Sequence, residues 1–205
     1  MAVQLLGTLL ILLVVPTNYG KALAFLVWWA LTFRRITRQE LVLFIVASIF
    51  FTFMNAVSLK QGVFVFRSPD LLGMPYYELF MWGFYLLHTL RMIGGPRPEA
   101  SLKRACLVAI GYVLAFSLIP DQNLLLIVTA CLLVLGLVFF HEPFDLAFTG
   151  YMIFIGALIE YAGVLSGQWH YPGIHVGGVP FWFITLWGGV GLLLRRLVLP
   201  VLGRI

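Results

Sequence analysis

Eight apolar runs separated by short polar breaks restrict what this chain can become. They fall at about residues 2–15, 20–33, 41–59, 74–93, 104–118, 124–140, 145–165 and 179–199 of 205. With 62% hydrophobic and 10% charged residues, the chain has too little polar surface to coat a water-soluble fold, so its main solvent is lipid. The expected fold class is therefore an all-α, polytopic transmembrane bundle, because a helix satisfies its own backbone in a bilayer. An apolar stretch precedes Ala22-Leu23-Ala24, but no basic segment leads it, so residues 1 to 24 are expected to stay in the mature chain rather than act as a signal peptide.

The chain also matches itself at an offset of 105 residues without gaps. Gly62, Gly73, Pro75, Trp82, Gly83, Leu87 and Arg91 fall on Gly167, Gly178, Pro180, Trp187, Gly188, Leu192 and Arg196. Each of these residue types has a separate backbone or interfacial role, so their joint recurrence points to duplication. The expected organisation is a first transmembrane repeat over 1–95, a cytoplasmic linker over 96–104 and a second repeat over 105–205, each with about four helices. An even number of spans per unit makes the repeats parallel.

The first two runs of each unit are short against the 17 or more residues a span requires, so each pair is either two spans or one helix kinked at Pro16 or Pro120. Charge separates the readings. With eight spans, Arg34, Arg35, Arg38, Arg91, Arg97, Lys103, Arg104, Arg195, Arg196 and Arg204 share one side, leaving Lys21, Lys60 and Arg67 opposite. The positive-inside rule thus favours eight spans over six or seven, in the cell membrane, with both termini cytoplasmic. The excess of five positive charges sits in small clusters between apolar runs, which reads as topology and not as a nucleic-acid surface. Cys106 and Cys131 lie within apolar runs and read as buried structural thiols.

On this topology the equivalent loops Lys60 to Gly73 and Ser166 to Gly178 are both non-cytoplasmic. Each passes from an aromatic cluster through glycine into a helix that starts with proline. An interfacial aromatic belt would account for any single Trp or Tyr there. Carboxyls within spans are more informative, because an ionised one is costly in lipid. Glu78 lies one turn into the fourth run and Glu160 near the end of the seventh, both just below the non-cytoplasmic surface. At the same offset Asn55 is the counterpart of Glu160 and Phe183 that of Glu78, so the copies differ where polarity matters.

Glu78 and Glu160 are the candidate catalytic pair, one able to act as a neutral acid beside aromatic faces that attract a cation. An interhelical hydrogen bond to Asn55 or a tyrosine is the structural alternative. Asn55, Phe64, Phe66, Tyr77, Trp82, Trp169, Tyr171, Trp182 and Trp187 are the candidate substrate-binding residues. His88 reads as a hydrogen-bonded interior histidine, and Asp145 as a helix cap with Glu40 as its repeat mate. His170 and His175 flank Pro172 and Gly173 in a loop without a convincing metal-ligand spacing, so no metal is expected. Motifs for nucleotide, zinc and serine-hydrolase chemistry are absent, and no cofactor is implied.

The helix start Pro75-Tyr76-Tyr77-Glu78-Leu79-Phe80 behind an aromatic loop, within paired units of about a hundred residues, resembles the small membrane lycopene cyclases of the heterodimeric or fused type. That family has two adjacent acids at this motif, whereas Tyr77 precedes Glu78 here, and the second copy, Pro180-Phe181-Trp182-Phe183, has none. The resemblance implies cofactor-independent acid-base cyclisation of a polyene or related isoprenoid. Glu78 would donate the proton, Trp82, Trp169 and Tyr171 would stabilise the carbocation, and Glu160 would accept or relay the proton. The alternative function is a non-catalytic structural or accessory subunit. A transporter ranks below both, because the acids gather toward one face. The expected partners are a membrane lipid or isoprenoid and, in the membrane, copies of itself or other chains.

Overall fold

Proline and the short polar residues beside it set the first helix boundaries. The computed structural model describes residues 1–99, 101–174 and 177–202. Helix α1 (Ala2–Val14) stops before Pro16, and Thr17 caps the start of α2 (Asn18–Phe33) by accepting from Gly20 N. The same grammar separates α5 (Leu102–Leu118) from α6 (Gln122–Phe140), where Asp121 follows Pro120 and accepts from Leu124 N. These are breaks and not kinks. In the first pair Trp28 packs against the Cα of Gly7 and donates Nε1–H to Gln4 O at 3.0 Å, so α1 and α2 lie side by side.

Helices α3 (Arg38–Lys60) and α7 (Pro143–Leu165) are 23 residues each. Each start is capped by an acid three residues in: Glu40 accepts from Thr37 N, completing a reciprocal box with Thr37 Oγ1, and Asp145 accepts from Glu142 N. The expectation that Asp145 caps a helix, with Glu40 as its counterpart, holds on these bonds. Helix α4 is Glu78–Ile93 and α8 is Trp182–Leu202, the latter carrying a π-helical turn over Leu194–Val198. Helices α3, α6, α7 and α8 are long and apolar enough to cross a bilayer, so the chain is a helical membrane protein.

The two aromatic loops contain the only strands among the described residues. β1 (Val65–Phe66) and β2 (Trp169–His170) pair antiparallel, with Val65 opposite His170 and Phe66 opposite Trp169. Backbone twists recur beside them: Gly62 and Gly167 have φ of 72° and 68°, and Gly73 and Gly178 have φ of 83° and 71°. Both pairs stand 105 residues apart. Only glycine adopts this conformation without a Cβ penalty.

The chain divides into two compact units. The first comprises Met1–His88 with Leu158–Val179, and the second Thr89–Ala157 with Pro180 to the C-terminus. The first is organised by a run of buried rings: Tyr77 edges onto Phe25, Phe25 stacks on Trp29 at 5.2 Å, and Trp29 stacks on Phe84 at 4.4 Å. Offset and edge contacts of this kind add to the area they bury. Here Gly83 lets α4 approach α3, since a Cβ at that position would lie 2.6 Å from Phe44 O.

The second unit holds a polar cluster at its heart. Arg195 and Arg196 retain 1% and 3% of their surface and pair with Asp145, itself fully buried, and with Glu142. Arg196 meets Asp145 through Nε at 2.7 Å and a terminal nitrogen at 2.6 Å, while Arg195 also donates to Pro96 O at 2.9 Å. These arginines, read from the sequence as topology charges, are neutralised inside the protein. The wider π-helical turn narrows the angle between successive side chains, so both guanidiniums reach the same acids. Cys106 and Cys131 also depart from expectation, for both are exposed on the apolar outer faces of α5 and α6.

Candidate functional site

Glu78 stands in the first turn of α4, where Pro75 begins the turn that precedes the helix and Glu78 N donates to Pro75 O at 3.0 Å. It retains 8% of its surface, and no described residue hydrogen-bonds its Oε2. Residues four and seven positions later share a helical face with it, which puts Trp82 and Tyr85 beside the carboxyl's side of α4. Trp82 stacks on Phe51 at 4.0 Å and presents its edge to Tyr85 at 5.7 Å.

Glu160 reaches the same region from the last turns of α7 but has a different environment. Its Oε2 accepts from Tyr171 Oη at 2.7 Å and Trp169 Nε1 at 3.1 Å. Two donors on one oxygen suit an ionised acceptor. The loop is seated by Gly163: a Cβ there would overlap the Trp169 indole, so only glycine leaves the ring its place over α7. Burial, followed by the charge and hydrogen bond of Glu160 and the more distant charge of Glu78, raises the Tyr171 phenol well above its ordinary range. Tyr171 therefore remains a hydrogen-bond donor at any physiological pH.

Glu78 lies within the field of Glu160, and Tyr85, 2% exposed, within the field of both. The rest of the wall is aromatic. Phe64 contacts Phe66 at 5.5 Å and Tyr171 at 6.0 Å, and Phe66 contacts Trp169 at 5.7 Å. Tyr77 is buried at 1% and donates to Gln168 Oε1 at 2.8 Å. The first unit thus brings together Glu78, Glu160, Phe64, Phe66, Tyr77, Trp82, Trp169 and Tyr171. Asn55 lies half-buried on α3 of that unit.

Trp182 and Trp187 belong to the second unit. Trp182 edges onto Phe116 at 5.4 Å, and Trp187 covers the Cα of Gly156. His88 is fully buried, with Nε2 at 3.2 Å from Met1 O, as an interior hydrogen-bonded histidine should be. His170 is exposed on β2, and His175 lies outside the described residues. Among the described residues no group of three or more His, Cys, Asp or Glu is placed to hold a metal.

Sequence reasoning overlooked Tyr85 and Gln168. Tyr85 was detectable as the residue seven after Glu78, two helical turns along one face. Gln168 carried no such signal, because a loop glutamine is ordinarily solvated. Here its Oε1 accepts from both Lys21 and Tyr77, and its Nε2 donates to Leu12 O. Compared with protein-family models, with curated proteins and with solved structures, the chain matches none.

Proposed function

We propose that this chain is an eight-span, internally duplicated protein of the cell membrane that binds a polyisoprenoid and cyclises it by acid-base chemistry, as the resemblance to small membrane lycopene cyclases implies. The observation that carries the chemistry is the contrast between the two acids. Glu78 has an oxygen without a hydrogen-bond partner among the described residues, while Glu160 receives two donors on one oxygen. Neighbouring carboxyls in unequal surroundings divide into an acid and a base. Glu78 gives its proton to a terminal alkene, leaving a tertiary cation facing the rings of Trp82, Trp169 and Tyr171. The π pair of a neighbouring alkene closes the ring, and Glu160 removes a proton from the adjacent carbon. Transfer of that proton from Glu160 to Glu78 restores the starting state, so the net reaction is an isomerisation without a cofactor.

Duplication is supported by α3 and α7, which have equal length and starts 105 residues apart. The pairing of Val65 with His170, its own repeat mate, and the matching φ angles of the glycines add to it. The eight-span reading with cytoplasmic termini survives neutralisation of Arg195 and Arg196. Arg34, Arg35, Arg38, Arg91, Arg97, Lys103 and Arg104 still oppose only Lys21, Lys60 and Arg67. Helix α1, at 13 residues and thus about 20 Å, spans through local thinning of the bilayer and its extended flanks.

A lipid-binding accessory subunit is the second reading, favoured by the tight burial of Tyr77 and Tyr85 around Glu78. The test is mass spectrometry of organic extracts from a polyene-producing host expressing the chain, the Glu78→Gln variant or the Glu160→Gln variant. A cyclised product that disappears in both variants establishes catalysis. Lipids carried equally by all three proteins, with no new product, select the accessory role.

A further inference from the structure

A cavity of about 540 Å³, lined by neither Glu78 nor Glu160, opens between the end of α1, the start of α2 and the two aromatic loops. Its lining includes two charged groups, Lys21 and Arg67, and no carboxylate. Lys21 is 7% exposed, yet its ammonium makes one hydrogen bond, to the neutral Gln168 Oε1 at 2.8 Å, and lies over the Tyr77 ring at 5.5 Å. A buried ammonium with an amide and a ring as partners is costly unless an anion completes its donor set. The fixed partners hold it ready: Gln168 is anchored to Leu12 O at 2.9 Å, and Asn18 ties α2 to the Arg67 loop through Ser68 O at 2.7 Å. The nearby acid of that loop, Asp70, is turned to Tyr76 N at 3.0 Å. The N-terminus of α2 adds a favourable dipole end to the same space.

We infer that this cavity binds a phosphate monoester, with Lys21 and Arg67 as its cationic ligands. Two positive charges without an opposing acid match a dianion, whereas one carboxylate would leave a cation uncompensated. A guanidinium fork also fits two phosphate oxygens. The volume exceeds that of phosphate alone and suits a headgroup. Leu13 on the cavity wall is 52% exposed, giving an acyl or prenyl chain an apolar surface beside the headgroup. The positions equivalent to Lys21 and Arg67 at the 105-residue offset are Leu126 and Pro172, so the second loop has no such pair. The inference rests on no part of the cyclisation reading.

Native mass spectrometry of the full chain, released from nanodiscs of phosphatidic acid mixed with phosphatidylcholine, tests it. The wild type is expected to retain phosphatidic acid selectively. Lys21→Met and the exposed Arg67→Gln should each lower that retention about tenfold, the scale of one charge-assisted contact, while Lys21→Arg preserves it. Competition with inorganic phosphate identifies the source: displacement at millimolar concentration indicates a soluble phosphate, and resistance indicates the lipid, both being phosphate sites. Equal retention of the two lipids, or selectivity untouched by Arg67→Gln in a folded protein, overturns the assignment.

Discussion

Asp145→Ala removes the carboxylate to which two buried guanidiniums are addressed. In the native protein Asp145 accepts from Arg195 Nε at 3.2 Å, from Arg196 at 2.7 and 2.6 Å, and from Glu142 N at 3.1 Å. Arg195 retains Glu142, Pro96 O and the faces of Phe144 and Phe148 at 5.1 and 5.8 Å. Arg196 is left with Glu142, a long bond to Phe140 O at 3.4 Å and the Phe140 ring at 4.8 Å, and it loses two bonds to Asp145 where Arg195 loses one, so it bears most of the loss. Breaking a buried pair by removing one partner costs about 3–5 kcal/mol. In a chain of this size each kcal/mol shifts Tm by about 2–4 °C, so a fall of about 10 °C is expected. Intrinsic tryptophan fluorescence during thermal unfolding in detergent measures it. A second change separates lost contacts from a stranded charge: adding Arg196→Leu should recover a larger part of the loss than adding Arg195→Leu. A fall under about 2 °C for Asp145→Ala, or equal recovery by the two second changes, would refute the reasoning.

Glu142 gives the same cluster a pH signature: burial opposes its ionisation, but the hydrogen bonds and charges of Arg195 and Arg196 together hold it below the usual carboxylate range. Its contribution is therefore complete above the ordinary glutamate pKa and is lost as pH falls through the lower folded value; Tm against pH should lose an acid-side step in Glu142→Gln. Tyr171→Phe removes the 2.7 Å donor from Glu160 and should destabilise by about 1–3 kcal/mol in denaturant unfolding, with an unchanged midpoint arguing against that bond. Gly163→Ala forces the Trp169 indole off α7 and should cost a further 1–3 kcal/mol, typical of overpacking, with a red shift in emission; an unshifted spectrum would contradict the close packing.

Much of the fold was legible because its punctuation is local. Pro16 with Thr17, Pro120 with Asp121, and the caps at Thr37 and Glu142 fix helix boundaries within a few residues of where the sequence changes character. The glycines of the two loops were legible too, since positive φ at Gly62, Gly73, Gly167 and Gly178 is a demand that only glycine meets freely. Exposure was harder to read. Cys106 and Cys131 sit in runs as apolar as those that pack inward, and in lipid an apolar side chain gains as much outside as inside, so hydrophobicity does not say which way it faces.

The partners of buried charges were equally hard to read. Arg195 and Arg196, read from the sequence as topology charges, lie a few residues before the end of α8, within reach of acids brought up by α7. Neutralisation depends on a partner 50 residues away in sequence and on a π-helical turn, and neither leaves a mark in local composition. At the 105-residue offset Arg196 aligns with Arg91 and Asp145 with Glu40, which accepts from Thr37 N at its own helix start. Asp145 performs the equivalent capping bond and also binds two arginines. One carboxylate thus serves both the start of α7 and the neutralisation of α8. The acids of the first unit follow a contrasting rule: Glu160 receives two donors from its loop on one oxygen, whereas Glu78 is buried with an oxygen that no described residue hydrogen-bonds. A membrane protein can retain a buried acid cheaply by saturating it, as the second unit does with Asp145. Leaving one oxygen of Glu78 without a hydrogen bond among the described residues costs stability that saturation would have recovered.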